Sequence, residues 1–116
     1  MTNRKSWARD ALISLLLAAG YMLIFAYNNT PLGAAIGSDN AMYLTMGTAL
    51  AKGYAPYTEI FDHKGPLLFL LQLLPQAVSG GYSLTAIFIQ ETLVLFACLM
   101  MMRAIAKELD VCPWAA

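Results

Sequence analysis

Three apolar runs divide the chain, and the polar residues gather in the gaps between them. Ala11 to Tyr27 carries no charged side chain. At 1.5 Å of rise per helical residue, roughly 17 residues cover about 25 Å, just enough to cross a bilayer. The second run, Leu67-Leu68-Phe69-Leu70-Leu71-Gln72-Leu73-Leu74, opens at Pro66 and fades at Ser79-Gly80-Gly81. Proline suits the first turn of a helix, where its missing N–H has no helical partner. This run is short for a crossing and contains Pro75, so it kinks or begins below the membrane surface in a protein-lined cavity. The third run extends from about Leu84 to Met102, with Arg103, Lys107, Glu108 and Asp110 beyond it. The pattern predicts an all-α, polytopic membrane chain of about three spans, at 11–27, 66–79 and 84–102.

Residues 28–65 form the one substantial polar segment. Asn28-Asn29-Thr30-Pro31-Leu32-Gly33 is turn-forming. Ser38 or Asp39 can cap a helix that Gly53 ends. Met42, Met46 and Leu50 recur every four residues along it, an apolar stripe suited to a short helix lying along the membrane surface. Tyr54 to Ile60 reads as an extended connector, because Pro56 biases Ala55 away from helix. The connector leads to Phe61-Asp62-His63-Lys64-Gly65-Pro66.

Composition agrees with the membrane reading. Hydrophobic residues make up 59 % of the 116 and charged residues 12 %, about half the share usual in soluble domains. Mean hydropathy is +0.60. Formal net charge is zero, and the absence of a basic block excludes nucleic acid as a natural partner. Cys98 and Cys112 match no zinc spacing and make no disulfide framework. The first run competes with a secretory signal peptide. It ends in Phe25-Ala26-Tyr27 rather than in small residues at a cleavage site, which favours an uncleaved span. Arg4, Lys5 and Arg9 hold the N-terminus in the cytoplasm by the positive-inside bias. Three crossings then place loop 28–65 and the C-terminus outside. Lys52, Lys64, Arg103 and Lys107 oppose that arrangement, and the first helix is given precedence.

Chemistry concentrates in the outer loop. Asp62, His63 and Lys64 sit at the mouth of the second run, near the headgroups. An acid, an imidazole and an ammonium there suit a phosphate, a metal or a polar lipid head; equally, Lys64 snorkels and Asp62 is its surface partner. Asp39 adds a carboxylate that can serve as a general base on an acceptor hydroxyl or amine. Lysine binds phosphate as a point charge. A base with a phosphate holder at a bilayer surface is what transfer from a lipid-phosphate-linked donor requires. Glu91 falls inside the third run. A carboxyl at that depth is a functional candidate by default, or is protonated or hydrogen-bonded within a larger bundle. Met100-Met101-Met102 reads as packing, since no His or Cys accompanies it at a useful spacing.

Gly37-Ser38-Asp39-Asn40-Ala41-Met42-Tyr43, then Gly53-Tyr54-Ala55-Pro56-Tyr57, then Phe61-Asp62-His63-Lys64-Gly65-Pro66-Leu67-Leu68, resembles the first external loop of bacterial GT-C glycosyltransferases. These are polytopic enzymes related to protein O-mannosyltransferases and aminoarabinose transferases. The resemblance covers roughly Ser6 to Leu109 and is strongest between Gly37 and Leu74. It implies that Asp39 activates the acceptor and that Lys64 contacts the phosphate of a polyprenyl-phosphate sugar donor. It also implies that Asp62 and His63 line the same site, near a divalent metal in members that use one. Asn40 stands where many relatives have a second acid. Family members are far longer, with many more spans, so the chain reads as an N-terminal piece of such an enzyme, inactive alone and completed by the remainder. The alternative is a small, non-catalytic helical subunit that uses Glu91 to bind a larger membrane partner.

Overall fold

A computed structural model describes residues 4–26, 30–33, 38–61 and 63–109. Among these there are four helices and no strand: α1 (Arg4–Phe25), α2 (Ser38–Ala51), α3 (Pro66–Ser79) and α4 (Leu84–Glu108). The chain divides into two compact units, one of Met1–Phe25 with Glu91–Ala116 and one of Ala26–Gln90. Helix α4 is continuous and runs from the second unit into the first.

In the first unit, α1 starts seven residues before the uncharged run, at Arg4 rather than Ala11. Arginine, lysine and alanine are good helix formers, and nothing between Arg4 and Asp10 breaks the helix. Helix α4 likewise continues past Met102 to Glu108. Helix α4 and Ser6–Phe25 of α1 are long and apolar enough to cross a membrane. The less exposed positions of α1 recur every four residues at Asp10, Ser14, Ala18 and Met22. Ser14 and Ala18 are the small residues of that stripe. Leu12, Leu16, Leu17, Ile24 and Phe25 are exposed on α1, and Leu93, Val94, Met101, Met102 and Ile105 on α4.

One ion pair sets the direction of the two helices. The Arg103 guanidinium donates to Asp10 Oδ2 at 2.5 Å, and Arg9 Nε donates to Asp10 Oδ1 at 3.3 Å. The Asp10 side chain is only 8 % exposed and Arg103 29 %. Asp10 belongs to the first third of α1 and Arg103 to the last turns of α4, so the pair joins the start of α1 to the end of α4.

In the second unit, α2 packs on α3. Gly47 is buried where the helices meet, and a methyl group there would lie 2.5 Å from the Gln72 carbonyl oxygen. Leu44, Met46, Phe69 and Ile87 form the apolar core of the unit. The methionine stripe expected at 42, 46 and 50 is therefore only part of the buried face, because α2 rests on a helix rather than only on a surface. Helix α2 ends as expected at Gly53, whose φ of 89° is left-handed. Tyr54 N–H donates to Ala49 O and Gly53 N–H to Leu50 O, closing the last turn. Helix α3 begins at Pro66 after an extended Gly65 and ends in the same way at Gly80, with φ 72°. The limits of α3 match the expected second span. Its 14 residues rise only about 21 Å, against about 30 Å of hydrocarbon core. The other two expected spans correspond to helices of sufficient length.

Removing one partner of the Asp10–Arg103 pair leaves the other uncompensated, whereas replacing both with apolar groups does not. Arg103→Leu is expected to cost about 2 kcal/mol, and the Asp10→Leu/Arg103→Leu double variant to recover most of it. The readout is thermal unfolding in detergent micelles. A double variant no more stable than the single one would show that the pair does not hold these helices.

Candidate functional site

The stretch between α2 and α3 is not an extended connector but a closed turn. Glu59 N–H donates to Ala55 O at 3.1 Å, and Tyr57 N–H to Ile60 O at 2.6 Å. The Glu59 carboxylate accepts from Ala55 N–H at 2.7 Å. Tyr57 takes a left-handed φ of 66°, the one non-glycine to do so among the described residues. A bulky residue held there is strained, so its surroundings must fix it. They do so at two points. The Tyr57 hydroxyl donates to the Lys64 carbonyl at 2.8 Å, and its ring packs on Phe69 with centroids 6.0 Å apart. Phe61 meets the same ring edge-on. The turn is thus tied to the first turn of α3 from both sides.

This brace places Lys64 immediately before Gly65, the residue that caps α3. The first N–H groups of a helix lack helical acceptors and favour anions; at α3 Pro66 contributes none, and Leu68 N–H donates to Gly65 O at 3.2 Å. Lys64 is half-buried and His63 beside it is exposed, and both take part in interactions within the fold. Asp62 lies outside the described residues. Asp39 occupies the second position of α2, where a carboxylate suits the helix dipole; its side chain lies outside those described. The helix carrying Asp39 and the helix opened by Lys64 belong to one unit, joined at Gly47 and Gln72. Glu91 opens the part of α4 assigned to the other unit, half-buried and with an interaction partner of its own.

No protein-family model, no curated protein and no solved structure matches this chain. The chemistry of the site therefore has to be judged from its own residues. Among the described residues, no three His, Cys, Asp or Glu side chains gather as metal ligands; Asp62, which the sequence reading set beside His63 as a possible ligand, lies outside them.

Two features escaped the sequence reading. The first is an open cleft of about 330 Å³ beside the end of α2, lined by Thr45, Thr48, Ala49, Lys52, Tyr54 and Tyr82. Thr45, Thr48 and Lys52 follow helical spacing on one face of α2, a signal that was available. Tyr82 joins them from beyond α3, which no local pattern shows. The Thr48 hydroxyl, the two phenols and one ammonium can donate to the oxygens of a sugar or a phosphate, while the Thr45 hydroxyl donates to Ala41 O and is left to accept. The second is a pair of amides on α3. Gln76 is fully buried, and neither its amide oxygen nor its nitrogen has a hydrogen-bond partner among the described residues; the same holds for the Gln72 amide oxygen. Their spacing of four puts both on one face of α3.

The close approach at Gly47 holds α2 to α3. Gly47→Ala forces a methyl onto backbone atoms and is expected to destabilise this unit by about 1–3 kcal/mol, while Gly20→Ala, with open space around it, leaves it unchanged. Amide hydrogen exchange in α2 reads the difference. Equal protection in the two variants would refute the contact.

Proposed function

We propose that this chain carries the acceptor-activating and phosphate-binding elements of a GT-C-type membrane glycosyltransferase, which moves a sugar from a polyprenyl-phosphate donor to an extracytoplasmic acceptor. The observation that carries the reading is the brace around Tyr57. Of the residues that the resemblance singles out, Tyr57, Phe61 and Lys64 are joined in that brace, while Gly53 ends α2 and Gly65 and Pro66 open α3. The brace presents Lys64 at the mouth of α3. In the proposed reaction the Asp39 carboxylate takes the proton of an acceptor hydroxyl. The freed oxygen attacks the anomeric carbon, and the bond from that carbon to the phosphate oxygen breaks. The polyprenyl phosphate leaves with the bonding pair, and Lys64 holds its added charge. The threonine and tyrosine cleft beside α2 supplies hydrogen bonds for sugar hydroxyls.

The membrane arrangement that fits this reading has two crossings, by α1 and α4, with 26–83 on the outer side. The ion pair between Asp10 and Arg103 supports it, because three crossings would send those two residues to opposite faces. Two crossings also bring Arg4, Lys5, Arg9, Arg103 and Lys107 to one face, in keeping with the positive-inside bias. The conflict between the first helix and the C-terminal charges then disappears. Helix α3 stays with α2 on the outer side.

In membranes from cells expressing the complete reading frame, Asp39→Asn and Lys64→Gln are each expected to lower sugar transfer about 100-fold or more at unchanged protein level. Unimpaired transfer by Asp39→Asn removes it as the base. Loss of assembly with a membrane partner in a Glu91→Ala variant, with transfer absent even from wild type, favours the non-catalytic subunit instead.

The topology is tested separately with single cysteines at Ala8, Glu59 and Lys107, in a background with Cys98 and Cys112 replaced by serine. An impermeant maleimide is expected to reach position 59 from outside intact cells, and positions 8 and 107 only in inverted vesicles. Labelling of 107 from the same face as 59 restores the three-crossing arrangement.

A further inference from the structure

The first unit holds a cleft of about 160 Å³ that the proposed chemistry does not use. It lies between the start of α1 and the end of α4. Ser6 and Trp7 line it from α1, and Arg103 and Lys107, one turn apart, line it from α4. Met100 and Ala104 form its apolar wall, and the Asp10–Arg103 pair closes one side. Asp10 is the one carboxylate in the lining, and it is answered by both Arg9 and Arg103. Lys107 is exposed and adds a further positive charge, so the cleft is net cationic.

Its depth is set by the helices themselves. The uncharged stretch of α1 begins at Ala11 and that of α4 ends at Met102. The border between hydrocarbon and headgroups therefore passes close to Asp10 and Arg103. Ser6 and Lys107 each lie one turn outward, about 6 Å, in the headgroup layer, while Met100 lies on the hydrocarbon side. Trp7 is exposed at the interfacial level where tryptophan is favoured. A ligand that fits both ends has anionic oxygens at the level of Lys107 and an apolar body running past Met100.

We propose that this cleft binds the phosphodiester headgroup of an anionic phospholipid. The Lys107 ammonium, the Ser6 hydroxyl and the Trp7 indole N–H donate to the phosphate oxygens. Arg103 has five N–H donors, of which one nitrogen holds Asp10, and it links the ion pair to the headgroup. An acyl chain lies along Met100 and Ala104. Basic pockets between membrane helices on the cytoplasmic side take such headgroups. A zwitterionic phospholipid offers the same phosphate but brings its own cation against Arg103 and Lys107, so the cleft discriminates against it. The inference rests on this unit lying in a bilayer and not on sugar transfer.

The test is native mass spectrometry of the intact chain released from nanodiscs of equimolar phosphatidylglycerol and phosphatidylcholine. Wild type is expected to retain phosphatidylglycerol about fivefold over phosphatidylcholine, the weight of one lysine near an anionic surface. Lys107→Gln, which leaves the Asp10–Arg103 pair in place, is expected to abolish the preference, and Lys107→Arg, which retains the charge, to keep it. Equal retention of both lipids by wild type, or loss of preference in both variants alike, overturns the cleft as the site. A second copy of the chain bound in place of lipid, released by Lys107→Gln, overturns it as well. A chain that retains no lipid of either kind overturns the membrane placement on which the inference rests.

Discussion

The first unit depends on a carboxylate that is nearly shut away from solvent. Asp10 sits at the border of an apolar stretch, only 8 % exposed, and it is compensated from both helices of that unit. A single charge of this kind is expensive to bury, so its partner must stay close. That requirement fixes which end of α4 lies beside which end of α1. The apolar surfaces of these helices carry no such information, since leucine packs as well in one direction as in the other. Direction is thus a property of one pair 93 positions apart. The charge distribution, the proposed crossing number and the cationic cleft all follow from it.

The second unit is organised by contact rather than charge. Gly47 lets α2 approach the backbone of α3, and Phe69 fills the space at the start of α3 while also receiving the ring of Tyr57. Tyr57 is held in a conformation that it would not choose alone, and its hydroxyl spans to the residue before Gly65. The strain is local, and its effect is to fix where the chain enters α3. Strained backbone that persists does so because several neighbours over-determine it. Here those neighbours are Phe61 and Lys64 of the motif together with Ile60 and Phe69 outside it.

Much of this was legible locally. Pro66 and Gly80 bracket α3, Gly53 ends α2, and the third apolar run starts at Leu84 as α4 does, because caps and breakers act within a turn or two of where they stand. The pairing of Asp10 with Arg103 was not legible, because the two lie 93 positions apart and no local window contains both. The connector 54–60 was misread for a different reason. Pro56 does keep Ala55 out of a helix, but the Glu59 carboxylate and Ala55 carbonyl then close the segment into a turn. A tyrosine at positive φ is invisible to rules that look for glycine. The cleft beside α2 needs Tyr82, which arrives from the far end of α3. The proposed site residues Asp39 and Lys64 came from motif and chemistry, and the geometry on hand bears mainly on Lys64.

The manner in which Lys64 is gripped bears on how its role can be separated from its place in the fold. Tyr57 binds the carbonyl of Lys64, not its ammonium. Any residue at 64 offers that carbonyl, so the brace does not require lysine. Gly53, with φ of 89°, and Pro66, at the start of a helix, are in the opposite position, since their identity is demanded by the backbone. Lys64 is half-buried and has a further interaction within the fold, so a charged replacement such as arginine has to be compared with a neutral one to separate charge from contact. The same reasoning makes Tyr57 a poor probe of function, because its removal would loosen the turn and displace Lys64 together. The difference between charged and neutral residues at 64 therefore reports on the charge itself, and substitution at 57 on the structure that carries it.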